Sequence, residues 1–178
     1  MTLYGNPQLT GFEKTFDKDE VIVSKTDLDG KITYGNRTFY KMAGLEESEC
    51  LGVQHNLIRH PDMPRCVFQL LWDTLKSGNE IFAYVVNRSG NGDHYWVYAH
   101  VTPSYDGSGN IVGYHSNRRV PNKAILDQHI IPLYADLLRM EKADDSPKGG
   151  MEAAYGKVGN MLSEAKVGFN EFMFSLGV

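Results

Sequence analysis

Apolar and polar positions alternate with period two over EVIVSKT and again over KITYG. Between them Asp27-Leu28-Asp29-Gly30 supplies a turn whose glycine suits a positive φ, so residues 20–35 are predicted to form a β-hairpin. Asn36 is placed to cap the helix NRTFYKMAG, in which Phe39, Met42 and Ala43 share one side, and Gly44 is placed to end it. From Asp62 to Lys76 the apolar residues Val67, Phe68, Leu71, Trp72 and Leu75 recur at helical spacing, with Pro61 and Pro64 near the start where proline is tolerated. Three strand-like runs follow, IFAYVVNR, HYWVYAHVTP and NIVGYHSNR, split by Ser89-Gly90-Asn91-Gly92 and Asp106-Gly107-Ser108-Gly109. This order predicts an α+β fold: a five-stranded antiparallel sheet with helices on one face, enclosing a central cavity if the inward side chains leave room.

Beyond Pro121 the periodicity becomes helical. Leu126, Ile130, Leu133, Leu137 and Met140 alternate by four and three, with Pro132 expected to bend or interrupt the helix. KADDSPKGG reads as a linker, after which Met151, Tyr155, Val158, Leu162, Ala165, Phe169, Phe172 and Leu176 form a heptad stripe. Gly156, Gly159 and Gly168 each cost roughly 1 kcal/mol in a helix interior, so this segment needs a partner surface. That surface is either a second chain, giving a homodimer, or the chain's own domain.

The bulk numbers narrow the function classes. A chain of 178 residues allows one well-buried core with appendages, and 42% hydrophobic with 22% charged residues fits an ordinary globular protein. A formal charge of -4 gives no excess of cations for phosphate backbones or anionic lipid, so nucleic acid is not an expected partner. The opening MTLYGNPQLTGFEKTF lacks a basic and apolar leader pattern, and no apolar run is long enough to span a bilayer, which gives a cytoplasmic expectation. Cys50 and Cys66 fit neither a CxxC pair nor a zinc site and are expected as free thiols. Turnover is not expected, because no nucleophile–base pair, phosphate loop or metal-ligand cluster is present in the pattern.

One block of motifs is more specific. HNLIRHPDMP (55–64), LWDTLKSG (71–78), Asn87-Arg88, NGDHYWV (91–97) and Pro132-Leu133-Tyr134, read in register, resemble the flavin-binding PAS domains of bacterial aerotaxis receptors, from about Val21 to about Tyr134. The resemblance implies a PAS fold with a C-terminal helical extension. Taken with the periodicity, the chain divides into an N-terminal cap (1–19), a PAS sensor domain (20–120), a flanking helix (121–142), a linker (143–150) and a C-terminal amphipathic helix (151–178). The resemblance also implies FAD held without a covalent bond, a redox or oxygen signal, and a chemotaxis-type signalling partner. The family's flavin-retaining residues fall on Arg59, His60 and Asp62, and the same resemblance adds Asn36, His55 and Ile81 to the candidate cofactor contacts.

The residues support part of this directly. A guanidinium and an imidazole at a helix start can meet a pyrophosphate, and Asp62 can cap that helix or orient Arg59. Strand alternation puts Ile81, Ala83, Val85 and Asn87 on one face, opposite Tyr95, Val97, Ala99 and Val101, and turn matching makes these the cavity faces. Asn87 is then an amide among apolar residues and needs a partner. On the last strand Ile111, Gly113, His115 and Asn117 share a face, which aims His115 at the cavity, where it could meet a flavin carbonyl or ligate a haem iron. Two alternatives therefore accompany FAD: a haem sensor using His115 or His60 as axial ligand, and a cofactor-free module binding a small ligand or a protein. The sequence departs from the family at Ile81, where the receptors carry tryptophan, and at Ala83, where they carry glycine. GVQHNLIRH also lacks the cysteine that light-sensing flavin domains use for a photochemical adduct.

Overall fold

The structure, a computed structural model, describes residues 8–177. The expected N-terminal cap and C-terminal helix therefore reach, at residues 1–7 and 178, outside the described residues. Strand β1 (Ile22–Thr26) and strand β2 (Ile32–Gly35) pair antiparallel around the predicted turn. Asp27 Oδ1 accepts from the Asp29 and Lys31 amides at 3.0 and 2.9 Å, and Gly30 adopts φ 79°, a conformation that favours glycine.

Helix α1 (Arg37–Ala43) begins at Asn36, whose Oδ1 accepts from the Phe39 amide at 2.9 Å, and buries Phe39, Met42 and Ala43. Helix α2 (Glu47–Cys50) and a 3-10 turn (His55–Ile58) lead to the long helix α3 (Arg65–Lys76). Strands β3 (Ile81–Arg88), β4 (His94–Tyr105) and β5 (Ile111–Arg119) then complete a five-stranded sheet in the order β2-β1-β5-β4-β3, every pair antiparallel.

Helix α4 (Lys123–Ile125) continues into a wide turn over Leu126–Ile130 that closes through the Ile131 amide on the Leu126 carbonyl. Pro132 explains it: the ring has no N–H and crowds the carbonyl four residues back, so the turn widens before helix α5 (Ile131–Ala143). Helix α6 (Pro147–Ala165) crosses α5 at Gly150, where a Cβ would lie 2.3 Å from the Glu141 carbonyl oxygen.

The single heptad helix expected over 151–176 is instead two helices. Lys166 ends α6 at φ 56°, and helix α7 (Phe169–Ser175) restarts after Gly168, whose amide Glu171 accepts at 2.6 Å. Both helices fold back on the chain's own domain, burying Val158 of the predicted stripe together with Ala154 and Met173 beside it, and Tyr155 donates to Asp73 of α3 at 3.1 Å. Helices α5 and α7 cover the free edge of β3, an exposed strand edge that would otherwise invite pairing. Tyr134 Oη donates to the Tyr84 carbonyl at 2.7 Å. Asn170 accepts from the Phe82 amide and donates to the Glu80 carbonyl, each at 2.9 Å. Among the described residues no helix is long and apolar enough to cross a membrane.

Candidate functional site

Between the sheet and α3 lies a cavity of about 240 Å³. The predicted faces of β3 and β4 point toward this side, since Ile81 pairs with Val101, Ala83 with Ala99, Val85 with Val97 and Asn87 with Tyr95. Val85, Asn87, Ala99 and Val101 reach the cavity itself, whereas Ile81, 1% exposed, is covered by core and does not line it. On the helix side Phe68, Leu71 and Trp72 close the space, and the Trp72 ring meets Tyr114 edge-on at 5.3 Å.

Strand β5 corrects the expectation for His115. Ala99 pairs with Arg118 and Val101 with Ser116, so the inward set is Tyr114, Ser116 and Arg118, and His115, opposite Thr102, lies on the outer face. Its Nε2 meets Asn117 Oδ1 at 3.1 Å. Side chains repeat every two residues, so a face assigned one position out of step inverts the whole strand. A backbone contact explains the glycine on this strand: a Cβ at Gly113 would meet the Thr26 carbonyl oxygen at 2.3 Å.

The RHPD motif divides. Arg59 lines the cavity mouth, half-buried: its backbone bridges to Asn87, its guanidinium lies 4.6 Å from the Phe68 ring centroid, and its Nη2 donates to the Met63 carbonyl at 3.3 Å. Burial lowers its pKa, which Glu141 partly offsets. His60 and Asp62 instead line a separate cleft with His94 and Trp96, and His60 Nδ1 accepts from the Asp62 amide at 3.1 Å. Asp62 does not cap α3, which begins three residues later behind Pro64. The buried Glu141 of α5 takes that place, accepting from the Cys66 amide at 2.8 Å and from Arg65 Nε at 3.2 Å. Beside that carboxylate, burial first and Glu141 second push the Cys66 thiol up to about 12.

Asn36 is likewise not at the cavity. Its Oδ1 accepts from the Val23 and Phe39 amides and its Nδ2 donates to the Val21 carbonyl at 2.7 Å, which uses it as a staple between β1 and α1. His55 does line the cavity, and its neighbourhood was not foreseen. Arg118 Nη2 donates to Ser24 Oγ at 2.7 Å and to His55 Nε2 at 2.8 Å, while Ser24 Oγ and His55 Nε2 are 3.0 Å apart. Burial, then the Arg118 charge, lower the His55 pKa to about 3, so the imidazole is neutral. Burial lowers Arg118 to about 10, so the guanidinium stays charged at neutral pH.

Among the described residues, four buried polar atoms of the cavity lining make no hydrogen bond: Thr26 Oγ1, Asn87 Nδ2, Ser116 Oγ and Arg118 Nη1. Such atoms are costly inside a protein, and all four belong to residues that line one space, which makes that space the candidate ligand site. The haem alternative loses both ligands it relied on, because His115 and His60 face away from the cavity.

The PAS fold family matches residues 32–118. Solved structures agree on the fold: the blue-light photoreceptor Aureochrome1 LOV in its light state superposes with TM-score 0.54 at 21% identity, covering 66% of this chain and 91% of that one. An RNA-binding light-oxygen-voltage receptor gives TM-score 0.56 at 18% identity, covering 67% of this chain and 35% of that one. Residues 32–118 thus form a PAS domain. The domain is similar to part of the aerotaxis receptor of Escherichia coli (strain K12), with 42% identity over 113 residues, a match covering 64% of this chain and 22% of that receptor. The nitrogen fixation regulatory protein of Klebsiella pneumoniae is 26% identical over 103 residues, 58% of this chain and 21% of that protein. The matched stretch therefore spans about a fifth of each curated relative.

Proposed function

We propose that this PAS domain binds FAD non-covalently in the β-sheet cavity and signals redox or oxygen state, through its C-terminal helices, to a chemotaxis-type partner. The observation that carries the reading is the set of unpaired polar atoms, Thr26 Oγ1, Asn87 Nδ2, Ser116 Oγ and Arg118 Nη1, on residues lining a cavity whose other walls include the apolar Phe68, Leu71, Val85, Ala99 and Val101. An isoalloxazine edge, with its alternating acceptors and donors, is complementary to them, and its apolar face to Val85, Ala99 and Leu71. A space of about 240 Å³ suits a ring system rather than a dinucleotide, so the remainder of FAD runs out past Arg59, where a guanidinium at the mouth offers a bidentate phosphate contact.

Bound flavin supplies a reversible change of charge and protonation. The residues supply a route outward for it: Asn87 in the cavity pairs through its backbone with Arg59, Arg59 is tied to Met63 and Phe68 at the start of α3, and Glu141 of α5 caps that same helix start. A ligand state that alters hydrogen bonding at Asn87 biases this connection, because a conformational change needs differential interaction with its two arrangements. Heating freshly purified protein is expected to release intact FAD into the supernatant. A haem absorption band in place of flavin, or no chromophore after reconstitution with FAD, overturns the proposal.

A further inference from the structure

The cleft that holds His60 and Asp62 has a volume of about 600 Å³ and lies on the reverse side of the sheet from the cavity beside α3. Val86 and Trp96 form its floor. They are the cross-strand pair next to Val85 and Val97, so alternation turns them away from that cavity. Helix α5 supplies the opposite wall, where Ile131, Ala135 and Leu138 add apolar surface. A space of this size is in the range that encloses a small organic molecule.

The polar groups around this floor are unevenly matched. His60 is 6% exposed, and its Nδ1 accepts from the Asp62 amide at 3.1 Å, so the ring proton sits on Nε2. That N–H has no partner among the described residues, and burial, the largest influence on the ring, lowers the His60 pKa and keeps it neutral. The His94 ring continues the same wall, 5.7 Å from His60 between centroids. Arg139 and Lys142 of α5 add two cations. Arg139 is tied to Asp136 at 2.6 Å, whereas Lys142 has no ion pair among the described residues. Among the described residues Asp62 is the one carboxylate lining the cleft, and its side chain is mostly in solvent. Donors and positive charge therefore exceed acceptors above an apolar floor.

We infer that this cleft is a second ligand site, which takes a small amphipathic monocarboxylic acid. The apolar body of the acid lies on Val86, Trp96 and Leu138, and its carboxylate faces the His60 and Lys142 donors. The inference does not rest on the flavin reading, because no residue lining the cleft also lines the cavity beside α3. An acid seated here bridges the sheet and α5, the helix whose Glu141 caps α3, and so adds a ligand-dependent tie to that helix.

The test is a calorimetric titration of the full chain with 1-naphthoate and with 1-naphthalenemethanol, which has the same rings and no charge. Wild type is expected to bind one naphthoate per chain in this cleft, and the alcohol about tenfold more weakly. Lys142→Met, at an exposed position, is expected to weaken naphthoate about tenfold and to leave the alcohol unchanged. His60→Phe is expected to give the same acid-selective loss, and Lys142→Met carries the reading should that variant not fold. Ala135→Trp, also at an exposed position, fills the cleft and is expected to abolish binding, whereas Ala99→Phe fills the other cavity and leaves it unchanged. The inference is overturned by no saturable binding in wild type, by equal affinity for acid and alcohol, or by unchanged naphthoate affinity in the Lys142 and His60 variants. It is equally overturned by a site that Ala99→Phe removes and Ala135→Trp keeps.

Discussion

The two halves of the sheet present opposite chemistries to the cavity. From β3 and β4 come Val85, Ala99 and Val101, apolar and already satisfied, with Asn87 the exception at the far end. From β1 and β5 come Ser24, Thr26, Ser116 and Arg118, polar and in part unpaired. The apolar half shapes the space and gains from burial whatever fills it. The polar half adds a cost to the empty protein that only a complementary ligand removes. Shape and selectivity are thus separated onto different strands, and substitutions on the two halves are expected to fail in different ways.

The largest effect is expected on the apolar half. Ala99→Phe places a ring in the cavity, where overpacking costs about 1–3 kcal/mol of stability. Binding, in contrast, is expected to disappear, and fluorescence of added FAD would show no saturable change. Retained FAD affinity in this variant would mean that the ligand lies elsewhere.

On the polar half the sharper signature is a pH dependence at His55. Its folded pKa, lowered to about 3, lies below the ordinary histidine value of roughly 6.5, so between those limits the unfolded chain binds more protons than the folded one. Stability from this group is therefore complete above the upper limit and is lost as pH falls through the window, by up to about 1.4 kcal/mol per pH unit. Urea midpoints at neutral and mildly acidic pH are expected to drop more for wild type than for His55→Gln. Parallel losses would place the imidazole in contact with water.

The smallest effect is expected at Thr26→Val, which keeps shape and removes a buried hydroxyl that has no partner among the described residues. Ligand-free stability should rise by about 1 kcal/mol while flavin affinity falls several-fold, a trade that the same change on a satisfied hydroxyl would not give. Calorimetric unfolding of both forms reads it.

Much of this was legible in the chain. The hairpin at Gly30, the cap at Asn36 and the paired faces of β3 and β4 follow from local rules, because turn chemistry and period-two alternation fix them within a few residues. Asn87 and Arg59 were found on those grounds and by resemblance. The polar half of the cavity was not, since β5 carries polar residues on both faces and alternation alone cannot choose between His115 and Arg118. The choice is made by register against β4, a non-local pairing, although Arg118 falling opposite the inward Ala99 gives the signal once that register is drawn. Glu141 was invisible for the same reason: it caps a helix start from 75 residues away.

The most direct test of the account is a stoichiometric titration of ligand-free protein with FAD, followed by fluorescence quenching in wild type and in Ala99→Phe. The account predicts saturation at one flavin per chain for wild type and none for the variant. No saturation in wild type, or equal saturation in both, would contradict the claim that the cavity between the sheet and α3 is where this domain holds its cofactor.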